Sequence, residues 1–194
     1  MANLASQITN APNLVTMGRV LFVPAVLYFM DNYSPVRSLI AAVLYMIASL
    51  GDGIDGYLAR SRGQVSVLGK FLDPVADKLI VAAALIILVE LGRVPAYIAV
   101  IIIGREITIS ALREWMAKLG RAKSVAVNFL GKIKTVAQLV AIPMLLYHDP
   151  IGAWFDPARI GTWLIYLAAA LTIVSMAYYL KLAGPHAFGG GGRA

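Results

Sequence analysis

Six long apolar runs, separated by short charged or turn-forming breaks, make up nearly the whole chain. They cover approximately residues 12–31, 36–60, 70–92, 95–116, 125–148 and 158–183. The breaks fall at Asp31 to Pro35, Ser61 to Gly69, Gly92 to Pro95, Lys118 to Ser124 and His148 to Pro157. The Gly and Pro residues within them are ordinary turn punctuation. A spanning helix takes about 20 residues, so the pattern predicts an all-α integral membrane protein with six transmembrane helices. The first run does not read as a signal peptide. No Lys or Arg precedes it, and the polar stretch from Ser6 to Asn13 is unlike a basic leader, so it is expected to remain as the first helix. Gly189 to Ala194 reads as a flexible glycine-rich tail, which leaves residues 1–188 as one membrane domain.

Composition sharpens this picture. Of 194 residues, 60% are apolar and 14% charged, with a mean hydropathy of +0.77. Soluble domains average about 45–50% apolar and about 25% charged, so a soluble globule is excluded. Disorder is excluded by the same numbers, and a disulfide-stapled fold by the absence of cysteine. A net charge of +7 raises the question of nucleic acid. Here, however, the basic residues punctuate apolar runs instead of forming a soluble basic surface, which points to a membrane and no nucleic-acid partner.

The same basic residues set the orientation. Arg60, Arg62, Lys70, Arg113, Lys118, Arg121, Lys123, Lys181 and Arg193 fall on one side, against Arg37, Arg93 and Arg159 on the other. Nine against three places both termini in the cytoplasm. Tyr33, Tyr97, Tyr147, Trp154 and Trp163 then lie near the outer ends, and Trp115, Tyr178 and Tyr179 near the inner ones, as interfacial anchors without a chemical role.

The acids are in costly places. Asp52 and Asp55 lie near the inner end of the second helix, Asp73 and Asp77 near the start of the third. Each costs about 2.5–3.5 kcal/mol at a helix centre and less near an end. The i,i+3 and i,i+4 spacings put each pair on one helix face. Counting about 1.5 Å per residue, Asp52 is about 12 Å inward from Arg60 and Asp77 about 10 Å inward from Lys70, so all four can meet at one depth. Four anions there require a counter-charge, and an all-oxygen set suits Mg²⁺ or Mn²⁺. Zinc is disfavoured, with no cysteine and with His148 and His186 elsewhere. Gly51, Gly53, Gly56 and Ala59 bare one stretch of the second helix for a ligand or for tight helix packing. Two other readings of the acids stay open: a salt-bridged cluster with Lys78, Arg60 or Arg105, and a cation or proton pathway.

Read as one string, Asp52-x-x-Asp55-Gly56-x-x-Ala59-Arg60, eight residues, then Gly69-x-x-x-Asp73-x-x-x-Asp77 resembles the signature of the CDP-alcohol phosphatidyltransferase family at all eight fixed positions. The resemblance implies transfer of a phosphatidyl group from CDP-diacylglycerol to an alcohol, with release of CMP. It implies that Asp52, Asp55, Asp73 and Asp77 hold a two-metal centre and that Asp77 is the candidate general base. Gly56, Ala59, Arg60 and Gly69, with Asn13 and Thr16, are implied on the CDP-diacylglycerol side. A homodimer in a bacterial cytoplasmic membrane, with the site facing the cytoplasm, is implied as well.

Three further stretches resemble the family members whose acceptor is sn-glycerol 3-phosphate. They are Pro12 to Thr16 with Arg19, Gly104-Arg105-Glu106 with Ser110 to Arg113, and Gly131-Lys132-x-Lys134-Thr135. A phosphorylated acceptor needs fixed cations, and an arginine fork suits phosphate oxygens. Arg105, about 12 Å inward from Arg113, lies at the depth of the aspartates and is expensive there without an anion. The acceptor-phosphate candidates are therefore Arg105, Arg113, Lys132 and Lys134. Lys132 and Lys134 are about 200° apart on a helix, so both cannot face the site equally, and the resemblance marginally favours Lys132. Other acceptors in the family (inositol phosphate, serine, phosphatidylglycerol) are the nearest alternatives. A transporter would spread its acids through the membrane depth, whereas these cluster at one end.

Overall fold

A computed structural model of the chain describes residues 11–31, 34–61, 67–120, 129–152 and 154–188. Six helices make up nearly all of it: α1 (Ala11–Asp31), α2 (Pro35–Ser61), α3 (Val67–Glu90), α4 (Ala96–Lys118), α5 (Phe129–Tyr147) and α6 (Pro157–Phe188). Among the described residues the extended structure is limited to one isolated bridge, Ile151 with Phe155. The tail expected at 189–194 lies outside the described residues.

Helix limits follow local chemistry. Pro35 and Pro157 open α2 and α6, where a missing N–H costs nothing. The Asp156 carboxylate accepts the Arg159 backbone N–H at 3.1 Å and caps α6. Gly92 and Gly120 end α3 and α4 with φ of +68° and +71°, a conformation in which glycine carries no Cβ penalty. The end of α5 is closed differently. Arg93 Nη1 donates to the Leu145 and Leu146 carbonyls at 2.9 and 2.7 Å, and His148 follows with φ +66°.

In the bundle α5 packs on α6 and α2, α1 on α2 and α3, and α4 on α6 and α3. The contacts rest on small side chains: Ala41, Ala48, Ala84, Ala141 and Ala168 are fully buried. Gly161 lets α6 approach so closely that a Cβ there would stand 2.9 Å from Leu145 Cγ. Small residues at helix contacts are what lipid-embedded bundles use, since packing rather than water exclusion drives them together. The outer faces expose Leu21, Ile86, Val100, Ile107, Val136 and Trp163, an apolar coat too extensive for a soluble monomer.

By length and composition one described segment, Pro157–Gly184, is apolar enough to cross a membrane. Other helices carry charge within their apolar length: Asp77 and Lys78 on α3, Arg105 and Glu106 on α4, Lys132 and Lys134 on α5. Those charges define the site. On the other side of α5, Leu39, Val43, Met46 and Leu50 of α2 face Val140, Pro143 and Met144 across an apolar groove of about 390 Å³.

Candidate active site

Two buried cations on different helices converge on one carboxylate. Arg105 of α4 is 6% exposed and Lys134 of α5 is 1% exposed. Lys134 Nζ donates to Glu106 Oε1, and Arg105 Nη1 lies 3.4 Å from the same oxygen. Arg105 Nη2 reaches Ser175 Oγ on α6, also at 3.4 Å. One helical turn away, Tyr179 is wholly buried and lies beneath two guanidinium groups, with Arg113 5.2 Å and Arg105 5.8 Å from the ring centre. Its hydroxyl accepts from Arg113 Nη2 at 3.1 Å. The ring face offsets part of the cost of keeping two arginines close together. Arg105 and Lys134 thus share the Glu106 carboxylate, and Arg113 beside them pairs with the Tyr179 hydroxyl instead, so the three cations outnumber that one carboxylate. The Nε atoms of both arginines are buried and unpartnered within the protein. Such a cluster is arranged for a dianion.

The acid of α3 lies on the same interior space. Asp77, Glu106, Thr135, Gln138, Tyr45, Ser49 and Lys78 line a cavity of about 150 Å³ between α2, α3, α4 and α5. One wall carries the carboxylate of Asp77; another carries Glu106 with its bound Lys134. Arg105 and Lys134 lie behind Glu106, outside the lining itself. On α3, Asp73 precedes Asp77 by one turn.

The sequence profile of the CDP-alcohol phosphatidyltransferase family matches residues 9–174 of this chain. The chain belongs to that family. It is 44% identical over 182 residues to the CDP-diacylglycerol–glycerol-3-phosphate 3-phosphatidyltransferase of Escherichia coli K12, covering 90% of this chain and 94% of that protein. The Shigella sonnei and Shigella flexneri proteins of the same name are 44% and 43% identical over the same shares.

Against the family signature, the structure places Asp52, Asp55, Gly56, Ala59 and Arg60 on α2 and Gly69 and Asp73 on α3. Asn13 and Thr16 are on α1. The side chains at these positions lie outside the described ones, so among the described residues no three His, Cys, Asp or Glu come together. The donor chemistry fits a hard divalent cation. Asp77 presents a carboxylate to a polar cavity whose described walls offer oxygen ligands and no thiol or imidazole.

Two sequence expectations change. Lys134, not Lys132, is the lysine turned into the bundle; Lys132 is exposed on the other side of α5. A helix rotation of about 200° between them leaves room for only one inside. Tyr179, expected as an interfacial anchor, is instead a buried platform for two arginines, because α6 turns it toward α4. Ser175 and Gln138 were also missed. Thr172, Ser175 and Tyr179 are all fully buried, and their spacing of three and four residues on an apolar helix is the signal that marks such a polar stripe.

Proposed function

We propose that this chain is a six-span enzyme of a bacterial cytoplasmic membrane, with both termini and the active site on the cytoplasmic side. It transfers the phosphatidyl group of CDP-diacylglycerol to sn-glycerol 3-phosphate, giving phosphatidylglycerophosphate and CMP. The observation that carries the reading is the cavity lined by a signature aspartate, Asp77, and by Glu106, the carboxylate on which the buried Arg105 and Lys134 converge. The named relatives support the same acceptor. Residues 1–188 act as one membrane domain, and two copies pair in the bilayer.

In this reading Arg105, Arg113 and Lys134 hold the acceptor phosphate, with the exposed Lys132 as an outer cation. The primary hydroxyl of the acceptor then faces Asp77, which removes its proton. The freed oxygen forms a bond to the phosphorus that carries diacylglycerol, and the bond from that phosphorus to the CMP oxygen breaks. CMP leaves with that electron pair. Positioning and charge neutralisation are what such a displacement chiefly needs. Asp52, Asp55, Asp73 and Asp77 would hold Mg²⁺ or Mn²⁺, which neutralises the pyrophosphate charge when bound. Asn13, Thr16, Gly56, Ala59, Arg60 and Gly69 serve the nucleotide-lipid side. The groove between α2 and α5 offers its apolar wall to hydrocarbon, so the lipid tails need not leave the bilayer.

The test is CMP release by purified protein with CDP-diacylglycerol, Mg²⁺ or Mn²⁺, and one acceptor at a time. Release with glycerol 3-phosphate, abolished by EDTA and in Asp52→Asn and Asp77→Asn, is the expected result. Release only with inositol phosphate, serine or phosphatidylglycerol would overturn the acceptor assignment. No release from folded, metal-binding protein would overturn the activity.

A further inference from the structure

Gln138 is the buried polar residue of α5 that the phosphate cluster leaves unused. It is 6% exposed, and its Nε2 has no hydrogen-bond partner within the protein. It lines the cavity that Asp77, Glu106, Thr135 and Ser49 share. Buried amide donors are nearly always satisfied, so an unmatched one on a polar cavity wall marks where a ligand supplies the partner. The cavity has room for a small one. Its volume is about 150 Å³. Beyond its phosphate ester oxygen, a three-carbon acceptor has five heavy atoms, three carbons and two hydroxyl oxygens. An inositol ring has eleven.

We propose that Gln138 is a specificity-determining residue that hydrogen-bonds the non-reacting C2 hydroxyl of a three-carbon polyol phosphate. The assignment rests on the acceptor reading above. With the phosphate held by Arg105 and Lys134 and the reacting hydroxyl at Asp77, the C2 hydroxyl lies between the two walls. The Gln138 amide lines this cavity with a buried, unused donor. A hydroxyl both donates and accepts, so it matches the amide whichever end is presented.

A matched pair of acceptors tests this. 3-Hydroxypropyl phosphate keeps the phosphate and the primary hydroxyl of glycerol 3-phosphate and lacks only the C2 hydroxyl. With CDP-diacylglycerol in lipid–detergent micelles, the unsubstituted protein should prefer glycerol 3-phosphate by about tenfold in kcat/KM, the size of one neutral hydrogen bond. In Gln138→Leu and Gln138→Met that preference should fall to about twofold or less. The loss should be confined to glycerol 3-phosphate, with the KM for CDP-diacylglycerol unchanged. A parallel loss with both acceptors would make Gln138 a packing residue and overturn the proposal. Absence of any preference in the unsubstituted protein would overturn it without a variant. Failure of glycerol 3-phosphate as a substrate would instead overturn the acceptor reading beneath it.

Discussion

Removing the charge of Glu106 while keeping its shape is the most direct probe of the cationic cluster. Arg105 and Lys134 both direct a nitrogen at its Oε1, and both cations are buried. At an effective dielectric of about 20, unit charges 3.4 Å apart attract by about 5 kcal/mol, and Arg105 loses that attraction in Glu106→Gln. Lys134 loses a comparable amount. Against this, the carboxylate no longer pays its own desolvation, and glutamine keeps an oxygen acceptor. Breaking one partner of a buried pair costs a net of about 3–5 kcal/mol. Glu106 is 26% exposed, which sets the expectation near the lower end, about 3 kcal/mol. For a chain of this size that lowers the melting temperature by roughly 6–12 °C. Thermal unfolding in detergent should show this fall. Lys134→Met should relieve part of it in the double variant, because one unmatched cation is then gone. Glycerol 3-phosphate should raise the melting temperature of Glu106→Gln more than that of the unsubstituted protein, since the ligand returns the missing negative charge. A melting temperature within about 1 °C of the parent, with no larger ligand shift, would refute the claim that Glu106 is the counter-ion of this cluster.

Tyr179→Phe keeps the ring under both guanidinium groups and loses the hydroxyl that accepts from Arg113. The KM for glycerol 3-phosphate should rise by about three- to tenfold, as for one hydrogen bond, with the KM for CDP-diacylglycerol unchanged in a CMP-release assay. Gly161→Val places a Cβ 2.9 Å from Leu145 Cγ and 3.2 Å from the Ala141 carbonyl, so α5 and α6 must part at a cost of about 1–3 kcal/mol. The melting temperature should fall while activity per folded molecule persists. Burial, and then the charge of Arg93, hold the His148 imidazole below its ordinary pKa, so its neutral form is the folded one. Its contribution is present above about pH 6.5 and is lost as pH falls through the lowered value. His148→Asn, which tolerates the positive φ at this position, should flatten the dependence of melting temperature on pH between about 5 and 7.

The helices were legible in the sequence because their signals are local. Apolar runs at 36–60 and 95–116 became Pro35–Ser61 and Ala96–Lys118, with proline and glycine setting the ends. The widest difference among the described residues is in α6, which continues to Phe188 against an expected end at 183; the expected start of α5 at 125 lies outside the described residues. The spacing of the eight signature positions identified the family for the same reason, since the chemistry is written into one continuous stretch.

What the sequence left open was the rotation of each helix about its own axis. On α5 it offered both Lys132 and Lys134, with the resemblance marginally favouring Lys132; contact with α4 through Glu106 turned Lys134 inward and brought Gln138, one turn further on, to the cavity wall. On α6 apolar residues surround most of the axis, and the short polar stripe of Thr172, Ser175 and Tyr179 was the one local mark of its inner face. Packing against α4 decided that Tyr179 and Ser175 would meet Arg113 and Arg105. In a bilayer an apolar side chain is at ease on either side of its helix, so the hydrophobic pattern fixes where helices run. The choice of inner face is left to the few polar groups that must find one another in the interior.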